Sequence, residues 1–260
     1  MVDGFSAATS VGARSPMKLL VPRPRGPSVW AFGSSFGGGM VAGDQTRMRL
    51  RVGRGARCFL GTQASTKIYR NPRELPCSHA LDAEVEDGSL LVLAPDAVQC
   101  FAGSAYEQRQ RVRLHGTGSV VWIDWLSAGR VASGERWAFR RYSGCNRLER
   151  EGETFLHDSL LLESSELSGG GRFRVGRFDC LATVVLAGPL LRDFTLAILE
   201  WAAGQPARAE GGLVFSASPL REGVLLRLAA GSVESAGEWI RKRLNFLGGL
   251  LGDDPWTRKW

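Results

Sequence analysis

The chain has 260 residues, enough for one large domain whose core needs no disulfide or metal to hold it. Its 33 Lys and Arg exceed its 26 Asp and Glu, giving a formal charge of +7 that favours an acidic partner (protein, nucleic acid or membrane) without choosing among them. The densest basic run is Arg241-Lys242-Arg243, too short for a nucleic-acid tail, and no stretch approaches the ~18 apolar residues of a membrane span.

Residues Met1 to Arg14 are small and polar, and no basic start with an apolar centre marks them as a cleavable signal. Pro22 to Pro27 reads as a turn or an extended segment, because proline disfavours helix on both sides. The stretch Gly33 to Asp44 is glycine-rich but lacks the G-x-x-x-x-G-K-[ST] spacing. It offers only a degenerate G-x-G-x-x-G/A at Gly37, Gly39 and Ala42, and the segment after it alternates like a strand where a phosphate loop needs a helix. It is therefore expected to be a tight loop using positive φ or close backbone approach. Thr46 to Val52 alternates polar and apolar, the period of a half-buried strand. Ala56 to Gly61, Ser89 to Leu93, Arg109 to Leu114, Ser119 to Leu126, Thr154 to Leu162, Arg172 to Arg177, Leu181 to Leu186, Leu213 to Ser216 and Val224 to Ala229 extend the series. Turn signals recur about every ten residues, as in stacked or sandwiched sheets. Cys77-Ser78-His79 reads as a surface turn after Pro76.

Two late segments have helical spacing. Pro189 to Trp201 has proline at the first helical position and Gly204 as a stop. Val233 to Leu247 places Trp239, Ile240, Leu244 and Leu247 on one face, with Arg241, Lys242 and Arg243 mostly off it. The predicted fold is mainly β: one large β-rich domain over residues 1–260, with two α-helices in the C-terminal half. Residues 1–14 are expected to be flexible and 252–260 to form a tail. Trp256 and Trp260, in that charged tail, either pack back onto the domain or meet a partner.

Candidate chemistry is sparse. Cys58, Cys77, Cys100, Cys145 and Cys180 are odd in number and widely spaced, without a C-x-x-C, which fits free thiols in a reducing cytoplasm. His79, His115 and His157 form no H-E-x-x-H pattern; Cys77 with His79 is the one close Cys–His pair and a weak candidate for a divalent metal, so no tight site is expected. His157 beside Asp158 is the candidate acid–base pair of a hydrolase, but no G-x-S-x-G elbow accompanies it. Asp124, between Ile123 and Trp125, would be costly to bury unpaired, and Arg130 is a candidate partner.

Five blocks carry a family likeness. Ser15-Pro16-Met17-Lys18-Leu19-Leu20 resembles the P-L-K-L-L opening of the UreD (UreH) urease accessory proteins, and Gly37 to Asp44 resembles their G-G-x-x-x-G-D block. Gly61 to Arg70 resembles the block ending A-[ST]-K-[IV]-Y-R, and Leu93 to Phe101 the block L-x-P-D-P-[IV]-x-x-F, with Ala97 in place of the second proline. Gly129-Arg130 with Gly134-Glu135-Arg136-Trp137 resembles G-R-x-x-x-G-E-x-[WF]. The blocks stand in family order between about residues 15 and 140; the C-terminal half has no sharp motif.

The resemblance implies a non-catalytic scaffold for delivering nickel into apo-urease through an internal polar channel. It implies three partners: a helical UreF-type protein, a UreG-type GTPase and apo-urease, with no nucleic acid and no membrane. No cofactor is held tightly; nickel(II) is in transit. A conduit must bind weakly, so isolated carboxylates, hydroxyls and carbonyls suit it better than clustered histidines. Asp44, Thr66 and Glu135, all within matched blocks, are the expected channel residues. Lys67, Tyr69, Arg70, Asp124 and Arg130 are expected as supports or as part of a partner face. A hydrolase using His157 and Asp158 and a basic nucleic-acid-binding protein are the alternatives.

Overall fold

The computed structural model describes residues 4–23, 26–72, 75–164, 175–205 and 212–257. The chain winds as a solenoid, each turn placing one strand in each of two stacked sheets. β1 (Met17–Leu20) pairs antiparallel with β2 (Val29–Ser35), and the chain then crosses to the second sheet as β3 (Gln45–Val52). It returns as β4 (Arg57–Thr62), parallel to β2. The short β5 (Lys67–Ile68) leads to β6 (Cys77–Val85), parallel to β3. The next turn is β7 (Leu90–Ala94), the short β8 (Val98–Cys100) and β9 (Ala105–Leu114). β10 (Ser119–Ser127) then lies parallel to β7, and β11 (Arg141–Arg150) parallel to β9. Antiparallel strands close the far end: β12 (Glu153–Glu163) on β11, and β13 (Cys180–Ala187) on β10. β15 (Gly223–Ala230) lies on β13, with β14 (Leu213–Leu220) outermost. Among the described residues the larger sheet has ten strands, and the smaller five in the order β12-β11-β9-β6-β3.

The helices cover the outer face of the larger sheet. Pro189 opens a 3-10 turn that runs into α1 (Arg192–Ala203). α2 (Val233–Arg243) starts at Ser232, whose hydroxyl accepts the Ser235 N–H at 3.1 Å, and α3 (Leu247–Leu251) follows. Ile198, Ile240, Leu244, Leu247 and Leu251 pack with Val121, Ile123, Val184 and Leu226 of the sheet. A second apolar layer between the sheets joins Leu91, Leu93, Val120, Trp122 and Val185 to Leu81, Val85, Val112, Leu114 and Leu148. No helix among the described residues is long and apolar enough to cross a membrane.

Several expectations change. Cys77-Ser78-His79 opens β6 instead of forming a turn, because Leu81, Ala83 and Val85 carry its inward face and the parallel partners β3 and β9 extend it back to Cys77. β2 is buried along most of its length, so it has no alternation to read. Of the strand expected at Arg172 to Arg177, positions 172–174 lie outside the described residues and 175–177 form a helical turn. Arg243 is not simply off the α2 face: its guanidinium lies 3.6 Å over the Trp201 ring, and burial lowers its pKa. Pro255 is buried and Trp256 packs against the helix-covered core, while Trp260 lies outside the described residues.

Candidate functional site

The space between the sheets is not filled throughout. One cavity, of about 140 Å³, is walled by Met17, Met48, Thr66, His79, Gln108 and Asp124 among others. A wider cleft of about 610 Å³ lies toward the closing strands, with Tyr142, Gly144, Asn146, Asp158, Thr183 and Arg227 in its walls. Asp124 and Trp125 belong to the walls of both, so the two spaces adjoin at these residues.

Asp124 faces inward because β10 alternates: Val120 and Trp122 pack between the sheets, and Val121 and Ile123 point to the helices. The opposite wall supplies two amides. Gln108 Nε2 donates to Oδ1 at 2.7 Å and Asn146 Nδ2 to Oδ2 at 2.5 Å. Gln110 Nε2 in turn donates to Asn146 Oδ1 at 3.2 Å. Burial raises the Asp124 pKa from its ordinary value, and the bonds from Asn146 and Gln108 oppose that shift. Arg130 does not reach Asp124; it is engaged by Glu135. Burial holds the Tyr106 and Tyr142 hydroxyls well above the ordinary phenol range. At the wide mouth Arg227 donates to Asp158 Oδ1 at 2.6 Å and ties the two sheets together.

The expected site residues separate into two places, with Asp44 and Lys67 in neither. Thr66 and His79 line the inner cavity. His79 Nδ1 lies 2.8 Å from Thr46 Oγ1, and burial pushes its pKa down to about 4. Asp44 lines neither space; its carboxylate accepts the Val41 N–H at 2.9 Å and closes its own loop. That loop is built as the glycines suggested: Gly37, Gly38 and Gly43 have positive φ, and a Cβ on Gly39 would sit 2.6 Å from the Lys67 carbonyl oxygen. Glu135 lies in a surface hollow of about 640 Å³ with Tyr69, Arg70, Phe101, Ala102, Gly103 and Arg130. Arg130 Nε donates to it at 3.0 Å, the Ala102 N–H also at 3.0 Å, and its pKa falls, chiefly through the Arg130 bond. Arg130 also stacks on Phe101 at 4.4 Å, and Tyr69 meets the same ring edge-on. Lys67 sits in β5 with its carbonyl accepting the Met40 N–H, between the two regions.

Two other candidates resolve simply. Cys77 Sγ donates to the Val41 carbonyl at 2.8 Å, and burial raises its pKa; no group of three His, Cys, Asp or Glu among the described residues could hold a metal. His157 and Asp158 are consecutive on a strand and so point to opposite faces: His157 outward, 3.4 Å from Cys145 Sγ, and Asp158 inward to Arg227. They form no acid–base pair.

Gln108, Gln110 and Asn146 were not among the residues singled out from the sequence. The glutamines did leave a signal, because in Glu107 to Arg113 the charged residues alternate with Gln108, Gln110 and Val112, placing amides on the inward face. Asn146 left none, since β11 also turns Gly144 inward and shows no apolar period.

Comparison with known proteins agrees in direction with the five blocks and extends the likeness past them. The family model described as UreD urease accessory protein matches residues 2–260. A urease accessory protein UreD of Sorangium cellulosum (strain So ce56) is 49% identical over 100% of this chain and 81% of its own length. One from Anaeromyxobacter sp. (strain Fw109-5) is 43% identical over 99% of this chain and 86% of its own. Urease accessory protein D of Arabidopsis thaliana is 30% identical over 98% of this chain and 97% of its own. On this full-length similarity, the chain belongs to the UreD family of urease accessory proteins.

Proposed function

We propose that the protein is a scaffold and conduit that passes nickel(II) to apo-urease through the space between its sheets, in a complex with a UreF-type helical protein and a UreG-type GTPase. The observation that carries this reading is one half-buried carboxylate, Asp124, standing in the walls of both the inner cavity and the wider cleft. Nickel(II) accepts carboxylate, imidazole and carbonyl donors, and a route must hold it weakly enough to release it. The walls suit that need. Thr66, His79, Gln108, Asp124, Asn146 and Asp158 offer single donors spread along the path, not a cage. Among the lining groups Asp124 is the negative charge in the deepest surroundings, where a passing cation gains most from it. The reading assigns the protein no bond-making step of its own.

The test is co-expression with both accessory partners and apo-urease, reading assembly and urease activation separately. Asp124→Asn keeps the shape and removes the charge. Assembly is expected to survive while activation falls by roughly an order of magnitude, the scale of losing one group around a metal. Full activation by Asp124→Asn and by His79→Gln would sink the conduit and leave only a scaffold. Loss of assembly in the unaltered protein would sink both.

A further inference from the structure

We infer that the open edge of β3 is a docking site for an extended segment of a partner protein that carries a carboxylate at every second residue and apolar side chains between them. In the larger sheet the first turn is capped, because β1 pairs with β2; in the smaller sheet no described strand lies beyond β3. β3 is therefore an eight-residue edge at the start of the solenoid. The parallel ladder fixes which backbone groups remain free. The Asp44 and Val52 carbonyls accept from Ser78 and Glu86 on the β6 side, so even-numbered positions face β6. The N–H and C=O groups of Gln45, Arg47, Arg49 and Arg51 accordingly face away from it.

Side chains select what adds there. Arg47, Arg49 and Arg51 stand exposed on the outer face, spaced every second residue. Arg51 is held by Glu86 at 2.7 Å, whereas Arg47 and Arg49 have no ion-pair partner among the described residues. On the inner face Met48 and Leu50 are only half-buried, as is Leu19 of β1 in the same apolar layer. A strand added to β3 meets free arginines on one side and unfinished apolar cover on the other. A second copy of β3 is disfavoured, since it would set arginine against arginine, which is how charged edges avoid self-pairing. A polyphosphate is disfavoured too: Asp82 and Glu84 occupy the next strand of that face, and it has no apolar side for Met48 and Leu50. Strand addition, with backbone bonds for affinity and alternate side chains for choice, is the recognition mode that fits. The inference is independent of the nickel path.

The probe is a blocked eight-residue peptide alternating Glu and Val, added to the full chain and followed by fluorescence anisotropy and amide hydrogen exchange. Binding is expected to protect the Arg47 and Arg49 amides. The pair Arg47→Glu and Arg49→Glu, both on exposed side chains, should weaken it on the order of tenfold or more and transfer preference to a Lys/Val peptide. Arg49→Pro removes an N–H that the β6 ladder does not use and should also reduce binding. No binding, protection away from β3, or indifference to charge reversal overturns the proposal. So does protection of the same amides by self-association, or by a single-stranded oligonucleotide in place of the peptide.

Discussion

His79 and Asp124 line the same cavity, and burial pushes their proton affinities in opposite directions. The native His79 pKa is depressed to about 4, below its unfolded value of about 6.5, so the native state binds fewer protons in that interval. Stability should therefore be lost as pH falls from about 6.5 to about 4, by up to about 3 kcal/mol. His79→Gln should flatten this acid limb in urea titrations at a series of pH values. Asp124 has the opposite sense. Its native pKa is raised, so stability falls as pH rises out of the ordinary aspartate range and then levels off. Asp124→Asn should gain melting temperature relative to the unaltered protein at pH 7 more than at pH 4. An equal difference at both pH values would contradict the burial argument. Asp124 was legible in the sequence as a carboxylate inside an apolar strand; its partners were not, because cross-strand neighbours follow from register. Asp44 and Glu135 were legible as members of matched blocks. Sequence could not show that a turn amide takes up one carboxylate and an arginine the other.

At the scale of elements, alternation exposed β3 and β9, and β12 and β15 were read as strand-like runs; their observed bounds lie within a few residues of the reading. β2, β6 and β11 were missed for separate physical reasons. The first is buried on both faces, the second is extended by its neighbours, and the third turns Gly144 and Asn146 into a cavity. The helices were readable from Pro189 and from the apolar spacing of Ile240, Leu244 and Leu247, though the second stops at Arg243 and resumes as a separate short helix. Ser232 is the hydroxyl that caps α2. Ser232→Ala should cost about 1 kcal/mol of global stability in chemical denaturation. A loss within error would mean that packing alone fixes the start of the helix.

Over the whole molecule, each turn of the solenoid pairs strands far apart in sequence; Gln45 lies opposite Ser78, and Arg141 opposite Ala105. These contacts form only after long loops close, which slows the search for the native state. Stopped-flow refolding should show a dominant phase of milliseconds to seconds, not microseconds. A microsecond phase carrying most of the amplitude would show that the late hairpin and helices organise the fold first.

The cavity with Thr66 and His79 and the cleft with Asp158 lie one after the other across the strands, not along them. Distance through the protein is then measured in strand spacings, each about 4.8 Å, and not in strand length. The five strands of the smaller sheet, set four spacings apart from end to end, mark out roughly 19 Å. Lengthening a strand would leave this span unchanged; inserting or deleting one whole turn would alter it by a single fixed step.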